Sequence, residues 1–166
     1  MAFYSNSSKL GIDLNSASST QLFALGMTTR GSDGSMWQYV CASSTVSAYS
    51  VVVVNSSGTM RMAVLGDVDA GGGFQIAVAQ NAFVTSEYGW VPFHGGAAGS
   101  QFKVKVSGSA TLGAVLYMAT TSGNVSITAA ASATLKGIVL ATASAWSGVT
   151  SQACILTWPK VNTVGA

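Results

Sequence analysis

Two side chains that could exchange a proton lie close together in the segment SEYGWVPFHGG, residues 86–96. Glu87 carries a carboxylate, and His94 is the only histidine of the chain. Carboxylates and imidazoles often serve as general acids and bases, so the pair raises the hypothesis of a small glycan hydrolase centred on these two residues. Whether they can act together depends on the element that positions them.

Strand geometry argues against such a centre. The segment has the aromatic and β-branched composition of a strand, in which successive side chains point to opposite faces. Tyr88 and Trp90 then share one face, while Glu87 lies on the other. Pro92 has no backbone N–H, so we predict that the strand ends near it and that His94 lies exposed in the following turn. The segment therefore predicts a structural strand rather than a catalytic cluster.

The other candidates for chemistry carry weak signals. Asp67 and Asp69 alternate like the first ligands of a calcium loop, but glycines follow them, so a solvent-facing turn is predicted instead. A single histidine excludes zinc sites built from two or more histidines. Cys41 and Cys154 match no metal spacing, and we expect small buried thiols, with a disulfide as the alternative. The sequence thus predicts no catalytic, cofactor or metal site.

Composition points to a protein that packs against something. The chain has 166 residues, enough for one domain, and 49% of them are hydrophobic but only 7% charged. Few charges suit a surface that lies against copies of itself or a partner, where each buried charge would need a counterpart. The formal net charge of +2 comes without a basic cluster, which argues against a nucleic-acid partner. No apolar run is long enough for a membrane-spanning helix, so no membrane partner is predicted either.

Apolar residues recur with a period of two through most of the chain, which predicts β-strands. In QFKVKVSG, residues 101–108, a phenylalanine and two valines alternate with two lysines and a serine, as a half-buried strand requires. Residues 50–55 and 58–66 flank a short polar stretch with a glycine, which predicts a hairpin. Strands are predicted at 21–27, 35–42, 48–55, 58–65, 73–80, 87–93, 101–107, 112–119, 124–129, 135–142 and 153–158.

Many short strands without a helix signal predict an all-β fold. We expect a single-domain antiparallel sandwich or barrel, jelly-roll-like, formed by residues 21–166. Residues 1–20 are polar and show no sustained period, so they are predicted to form an extended N-terminal arm.

Several segments resemble small head proteins of tailed bacteriophages. The main one is GGGFQIAVAQNAFVTSEYGWVPFHG, residues 71–95, a glycine turn and a strand followed by YGWV and a closing glycine. Further matching segments fall in the expected order: GSDGSMWQYVCAS (31–43), ATLGAVLYMATTSGNV (110–125) and CILTWPKV (154–161). The similarity covers about residues 21 to 162. Its motifs are structural rather than catalytic.

The family that the chain resembles is that of capsid decoration, or cement, proteins. The resemblance implies a location on the outer surface of the virion, with the major capsid protein as partner. It also implies homodimers or homotrimers, no enzymatic activity and no cofactor. We predict that the aromatic residues of the matching segments anchor the core or an interface, namely Trp37, Tyr88, Trp90 and Trp158.

Two other functions stay open at this point. A tail-fibre or receptor-binding jelly-roll module would share the composition and would expose Trp37, Trp90 or Trp146 as stacking platforms for glycans. The glycan hydrolase centred on Glu87 and His94 is the second. If the chain decorates a capsid, we expect residues 1–20 to become ordered only on the shell.

Overall fold

In the computed structural model, the chain is described over residues 12–68, 74–95, 102–128, 133–143 and 148–163. This part is all-β, as predicted, and a short 3-10 helix at Leu65–Val68 accompanies the strands. The strands are β1 (Ala17–Ser18), β2 (Thr28–Arg30), β3 (Met36–Ala42), β4 (Val51–Val54), β5 (Thr59–Met62), β6 (Gln75–Val78), β7 (Tyr88–Gly95), β8 (Phe102–Ser107), β9 (Leu116–Met118), β10 (Val125–Ser126), β11 (Ala133–Leu140) and β12 (Val149–Thr163). No helix in these ranges has the length and apolar character needed to cross a bilayer.

The strands form one continuous sheet that closes on itself at one end. The order is β11-β9-β10-β8-β12-β7-β3-β5-β4-β6, and β12 pairs with β11 as well. The strands from β8 to β12 therefore form a small closed barrel, and β12 leads from this barrel into the remaining sheet. Closing a sheet in this way removes edges that would otherwise be unpaired.

Strand β12 is much longer than the predicted strand at 153–158 because it pairs with several neighbours in turn. It pairs with β8 along Val149–Cys154 and with β11 from Cys154 onward, and Leu156 and Thr157 also pair with β7. This one strand thus joins both parts of the sheet.

The local signals in the sequence explain several elements directly. In the predicted hairpin, β4 and β5 are antiparallel, and the Asn55 side chain accepts hydrogen bonds from the backbone N–H groups of Ser57 and Thr59. Gly58 closes the turn with a φ of 77°, a conformation that suits glycine. Along β8, buried Phe102 and the buried valines alternate with more exposed lysines, as the period of two predicted.

Two further expectations about the strands differ from the structure. Residues 21–27 do not form a strand, because their backbone turns to meet Tyr39: the Leu22 N–H donates to its hydroxyl and the Gly26 N–H to its carbonyl. The sheet is also not purely antiparallel, since β10 runs parallel to β8 and β3 runs parallel to β5.

The N-terminal part of the described chain already lies on the domain. Ala17 and Ser18 pair with Gly89 and Tyr88 of β7, and Leu14 is buried in the core. Residues 12–20 of the predicted arm are therefore docked on the β domain, which begins before residue 21. The prediction for residues 1–11 falls outside the described residues.

Both faces of the central sheet are buried. One hydrophobic cluster includes Trp37, Trp90 and Leu156, and a second cluster on the other side includes Val91 and Phe93. Consecutive residues of β7 therefore contribute to different clusters, and this strand positions the aromatic side chains described next.

Candidate functional site

The aromatic residues of β7 lie where strand alternation placed them. Trp90 is 2% exposed, and its ring centroid lies 5.1 Å from that of Tyr39 and 5.4 Å from that of Phe23. Tyr88, on the same face, stacks on Tyr39 with a centroid distance of 6.4 Å. This end of β7 is part of the hydrophobic core.

Trp37 is a second core anchor. It is 1% exposed, and its indole N–H donates to the Ser35 hydroxyl at 2.7 Å, which satisfies the polar group of a buried side chain. Its ring meets that of Phe102 edge to face at a centroid distance of 5.5 Å. Because Trp37 and Trp90 are buried, neither can be the exposed glycan platform that the receptor-binding alternative would require. Trp146 lies outside the described residues.

Trp158 differs from these buried tryptophans, since 56% of it is exposed. Its backbone φ is 54°, in the left-handed region that bulky side chains rarely adopt. The indole contacts the other end of β7: its ring centroid lies 5.2 Å from those of both Phe93 and His94. Strained backbone that surrounding structure maintains is often found at functional sites, so this residue marks a candidate site.

A β-bulge in β12 places Trp158 outward. Lys136 pairs with Lys160 and Ile138 with Leu156, so Gly137 alone stands opposite the segment 157–159. Gly137 has a φ of 83°, and a Cβ at this position would lie 2.6 Å from the Thr157 carbonyl oxygen. Only glycine fits here without a backbone shift, which makes Gly137 a determinant of the bulge.

Trp158 stands beside an apolar groove with a volume of about 440 Å³. Phe93 and Ile76 are buried and form its floor together with half-buried Met36. The remaining lining residues are Thr28, Gln75, Trp158 and Pro159. The groove lies among the elements β2, β3, β6, β7 and β12, and we call it the Trp158 groove.

The end of β7 was predicted differently. Pro92 does not end the strand, which continues to Gly95, and His94 lies in the strand rather than in a turn. The pairing with β3 is irregular here, since Trp37 faces Pro92 while the preceding Met36 faces His94. Such a bulge tolerates a residue without an N–H. His94 is half-buried, and its Nδ1 makes no hydrogen bond within the described residues.

Glu87 and His94 do not come together. Glu87 lies before the first residue of β7, where its carboxylate accepts a hydrogen bond of 2.7 Å from the Val84 N–H and so closes a turn. His94 lies near the other end of the strand. At a rise of about 3.3 Å per residue, the two are roughly 20 Å apart along the strand, too far to act on one bond.

The carboxylate of Asp67 has a structural role. It forms a salt bridge with Arg61, and it also accepts a hydrogen bond of 2.7 Å from the Val64 N–H. Its side chain is only 5% exposed, so the prediction of a solvated residue is wrong: the guanidinium and the turn replace water around it. Asp69 lies outside the described residues. Within those residues, no group of three or more acidic, histidine or cysteine side chains could hold a metal ion.

Both cysteines are free. Cys41 is half-buried on β3, whereas Cys154 is buried on β12, where desolvation raises the pKa of the thiol to about 12. Burial penalises the charged thiolate, so Cys154 behaves as a small apolar residue in the core.

Sequence reasoning singled out Trp158 but not the residues that expose it. Period-two alternation places Trp158 on the same face as Leu156, which is fully buried, and the bulge reverses that orientation. The signal that could have found it is the Trp158–Pro159 pair, since proline is common at bulges, with Gly137 on the opposite strand. A comparison with protein-family models and with curated proteins finds no match for this chain.

Proposed function

We propose that the protein is a virion structural protein that binds the outer surface of a phage capsid and clamps neighbouring major capsid subunits. The observation that carries the proposal is the exposed, backbone-strained Trp158 above an apolar groove. Tryptophan is enriched among the residues that dominate binding energy at protein interfaces. A rigid β-sheet that presents such a residue is suited to a lasting contact.

The rest of the surface supports the same function. Large apolar side chains are exposed on several loops and strands, including Leu22, Val84, Ile127 and Val149. Contacts between apolar groups keep their strength as salt changes, whereas exposed ion pairs are screened and contribute only about 0–1 kcal/mol. A capsid that must withstand changes in salt concentration therefore benefits from apolar contacts.

To clamp neighbouring capsid subunits, the protein must contact the shell at more than one point. We propose that copies associate as homodimers or homotrimers and that each copy contacts the shell. Linked contacts gain strength through effective concentration, so a modest surface on each copy becomes a strong attachment over a closed shell. The segments that resemble decoration proteins, above all YGWV and CILTWPKV, support the same partner.

The direct test is binding to heads. Expanded heads that lack the protein, prepared from the virus that encodes it, are mixed with purified protein and sedimented. We expect the protein to sediment with the heads at a fixed ratio to capsid subunits and to raise the temperature at which they rupture. Protein that stays in the supernatant at every concentration tested would refute the proposal.

A tail-fibre or receptor-binding module is the alternative, and the exposed indole of Trp158 is the observation that favours it. Exposed tryptophans can stack on sugar rings, although the groove below supplies mainly apolar atoms to a polyhydroxylated ligand. Binding of labelled protein to host cells, and not to heads, would support this alternative. Binding to heads alone would support decoration.

A further inference from the structure

We infer that the Trp158 groove is the docking site for an extended, acidic segment of the major capsid subunit. This inference rests on the proposed function and deepens it, because it names the surface that meets the shell and the chemistry of what it binds.

The groove has the apolar part of such a site. Phe93 and Ile76, which are buried, and half-buried Met36 line it together with Trp158, so it can bury an apolar side chain. A volume of about 440 Å³ exceeds that of any one side chain, so the groove fits a short stretch of chain rather than a single residue.

Edge strands flank the groove and favour an extended occupant. Within the described residues, β2 pairs only with β3, and β6 pairs only with β4. Thr28 of β2 and Gln75 of β6 both line the groove. Edge strands present backbone N–H and C=O groups that an extended segment can use for hydrogen bonds.

Positive charge at the rim indicates an acidic occupant. Lys136 and Lys160 are both exposed and stand directly opposite each other on β11 and β12, next to Pro159 of the groove. Like charges at opposed positions repel, so a carboxylate bound between them would relieve that repulsion. Arg30 adds a third cation, because it is exposed on the same face of β2 as Thr28.

Within the described residues, neither Lys136 nor Lys160 forms a salt bridge, since the one found there joins Arg61 and Asp67. Asp33, in the turn between β2 and β3, accepts hydrogen bonds from the backbone N–H and the hydroxyl of Ser35. This carboxylate therefore has partners in its own turn, and the lysine pair can receive a carboxylate of a bound segment.

The strain at Trp158 also fits a docking role. A bulge without function would be expected to carry glycine or asparagine at this φ, since these residues adopt the left-handed region at low cost. Here the chain holds an indole in that conformation, and Gly137 opposite permits it. The cost of the conformation is offset if the exposed indole contributes to binding.

The test uses the full chain, expanded heads as the probe, and two pairs of variants. Trp158→Gly keeps the backbone conformation and removes the indole, and Leu112→Ala removes a comparably exposed side chain from the loop between β8 and β9. Lys160→Glu reverses a rim charge, and Lys103→Glu makes the same charge change on an exposed position of β8. Sedimentation gives the affinity of each variant for heads, and urea unfolding verifies that each is folded.

We expect Trp158→Gly to weaken binding by at least about tenfold, as a central tryptophan of an interface does. Lys160→Glu should also weaken binding, by about fivefold or more at low salt and by less at high salt. The two controls should bind like the parent. If all four folded variants bind equally well, the groove is not the docking site although the protein still binds heads. If the parent does not bind heads, both the inference and the proposed function are refuted.

A photo-crosslinking amino acid in place of Thr28 identifies the occupant. After irradiation on heads, we expect mass spectrometry to find capsid-subunit peptides that contain aspartate or glutamate. Crosslinks only to a second copy of this chain would overturn the assignment of the groove to the capsid and make it a contact between copies.

Discussion

Trp90 and Trp158 show how similar aromatic neighbourhoods acquire different roles in one fold. Trp90 lies in a regular part of β7, is 2% exposed and packs on Tyr39 and Phe23. Trp158 also contacts aromatic rings, those of Phe93 and His94, yet it is 56% exposed. The residue types around the two tryptophans are thus similar. The backbone decides which indole enters the core and which stays exposed.

The difference has one local cause. Regular pairing along β7 keeps Trp90 on the inner face, while the bulge opposite Gly137 turns Trp158 outward from the face that Leu156 occupies. A bulge thus converts what alternation would make a core residue into a surface residue, and the core around it is kept intact.

We expect the largest loss of stability from a substitution of Trp90, at the buried end of β7. Trp90→Ala removes the indole from between Tyr39 and Phe23 and leaves a cavity, so the free energy of unfolding should fall by about 3–5 kcal/mol. Urea unfolding followed by circular dichroism measures this. A loss below about 1 kcal/mol would mean that Trp90 is not the core anchor described here.

The second effect concerns the bulge itself. Gly137→Ala introduces a Cβ at 2.6 Å from the Thr157 carbonyl oxygen, in addition to an unfavourable φ, so we expect a loss of about 2–3 kcal/mol. Gly34→Ala is the matched control, because Gly34 has a φ of 80° but nothing within 4 Å of the added Cβ. It should cost about 1 kcal/mol. Equal losses for the two variants would show that close packing at Gly137 does not shape the bulge.

The third effect is a pH dependence in the buried cluster that contains Trp90. Burial raises the pKa of the Cys154 thiol from 9.0 to about 12, so the unfolded chain releases this proton at lower pH than the folded protein does. The stabilisation is complete below pH 9 and is lost as pH rises toward 12, with a loss of about 1 kcal/mol by pH 10.

Comparison with a Cys154→Ala variant isolates this effect, since other groups that titrate in the same range are present in both proteins. The difference in the free energy of unfolding should change by that amount between pH 8 and pH 10. A difference that stays constant with pH would contradict the burial of the thiol.

The smallest effect is expected at Trp158. Because its side chain is mostly exposed and glycine adopts its φ without strain, Trp158→Gly should change the free energy of unfolding by less than about 1 kcal/mol. The same denaturation series measures it beside Trp90→Ala. A loss as large as that of Trp90→Ala would make Trp158 a core residue and remove the contrast between the two.

Much of the fold could be predicted from the sequence, because β alternation and turn residues act locally. The alternation in β8 and the Asn55–Gly58 turn each depend on residues that lie within a few positions of one another in the sequence. The missing strand at 21–27 depends on a distant partner, the hydroxyl and carbonyl of Tyr39, which no local pattern records. The extra length of β12 likewise depends on neighbours far away in the chain.

The candidate site was less accessible to prediction. Strand alternation placed Tyr88 and Trp90 on one face, where both contact Tyr39, but Pro92 suggested a strand end where the structure has a bulge. The exposure of Trp158 requires Gly137 and residues 157–159 to stand opposite each other, a pairing that the sequence does not reveal. The structure therefore adds the irregular strand pairing around Trp158, which the residue types alone do not indicate.

A cryo-electron microscopy reconstruction of expanded heads incubated with the protein tests most directly whether the Trp158 groove binds the shell. We expect density for the protein at defined positions on the outer surface, with Trp158 and the groove facing a capsid subunit. Heads without added density, or bound protein with Trp158 facing solvent, would contradict it.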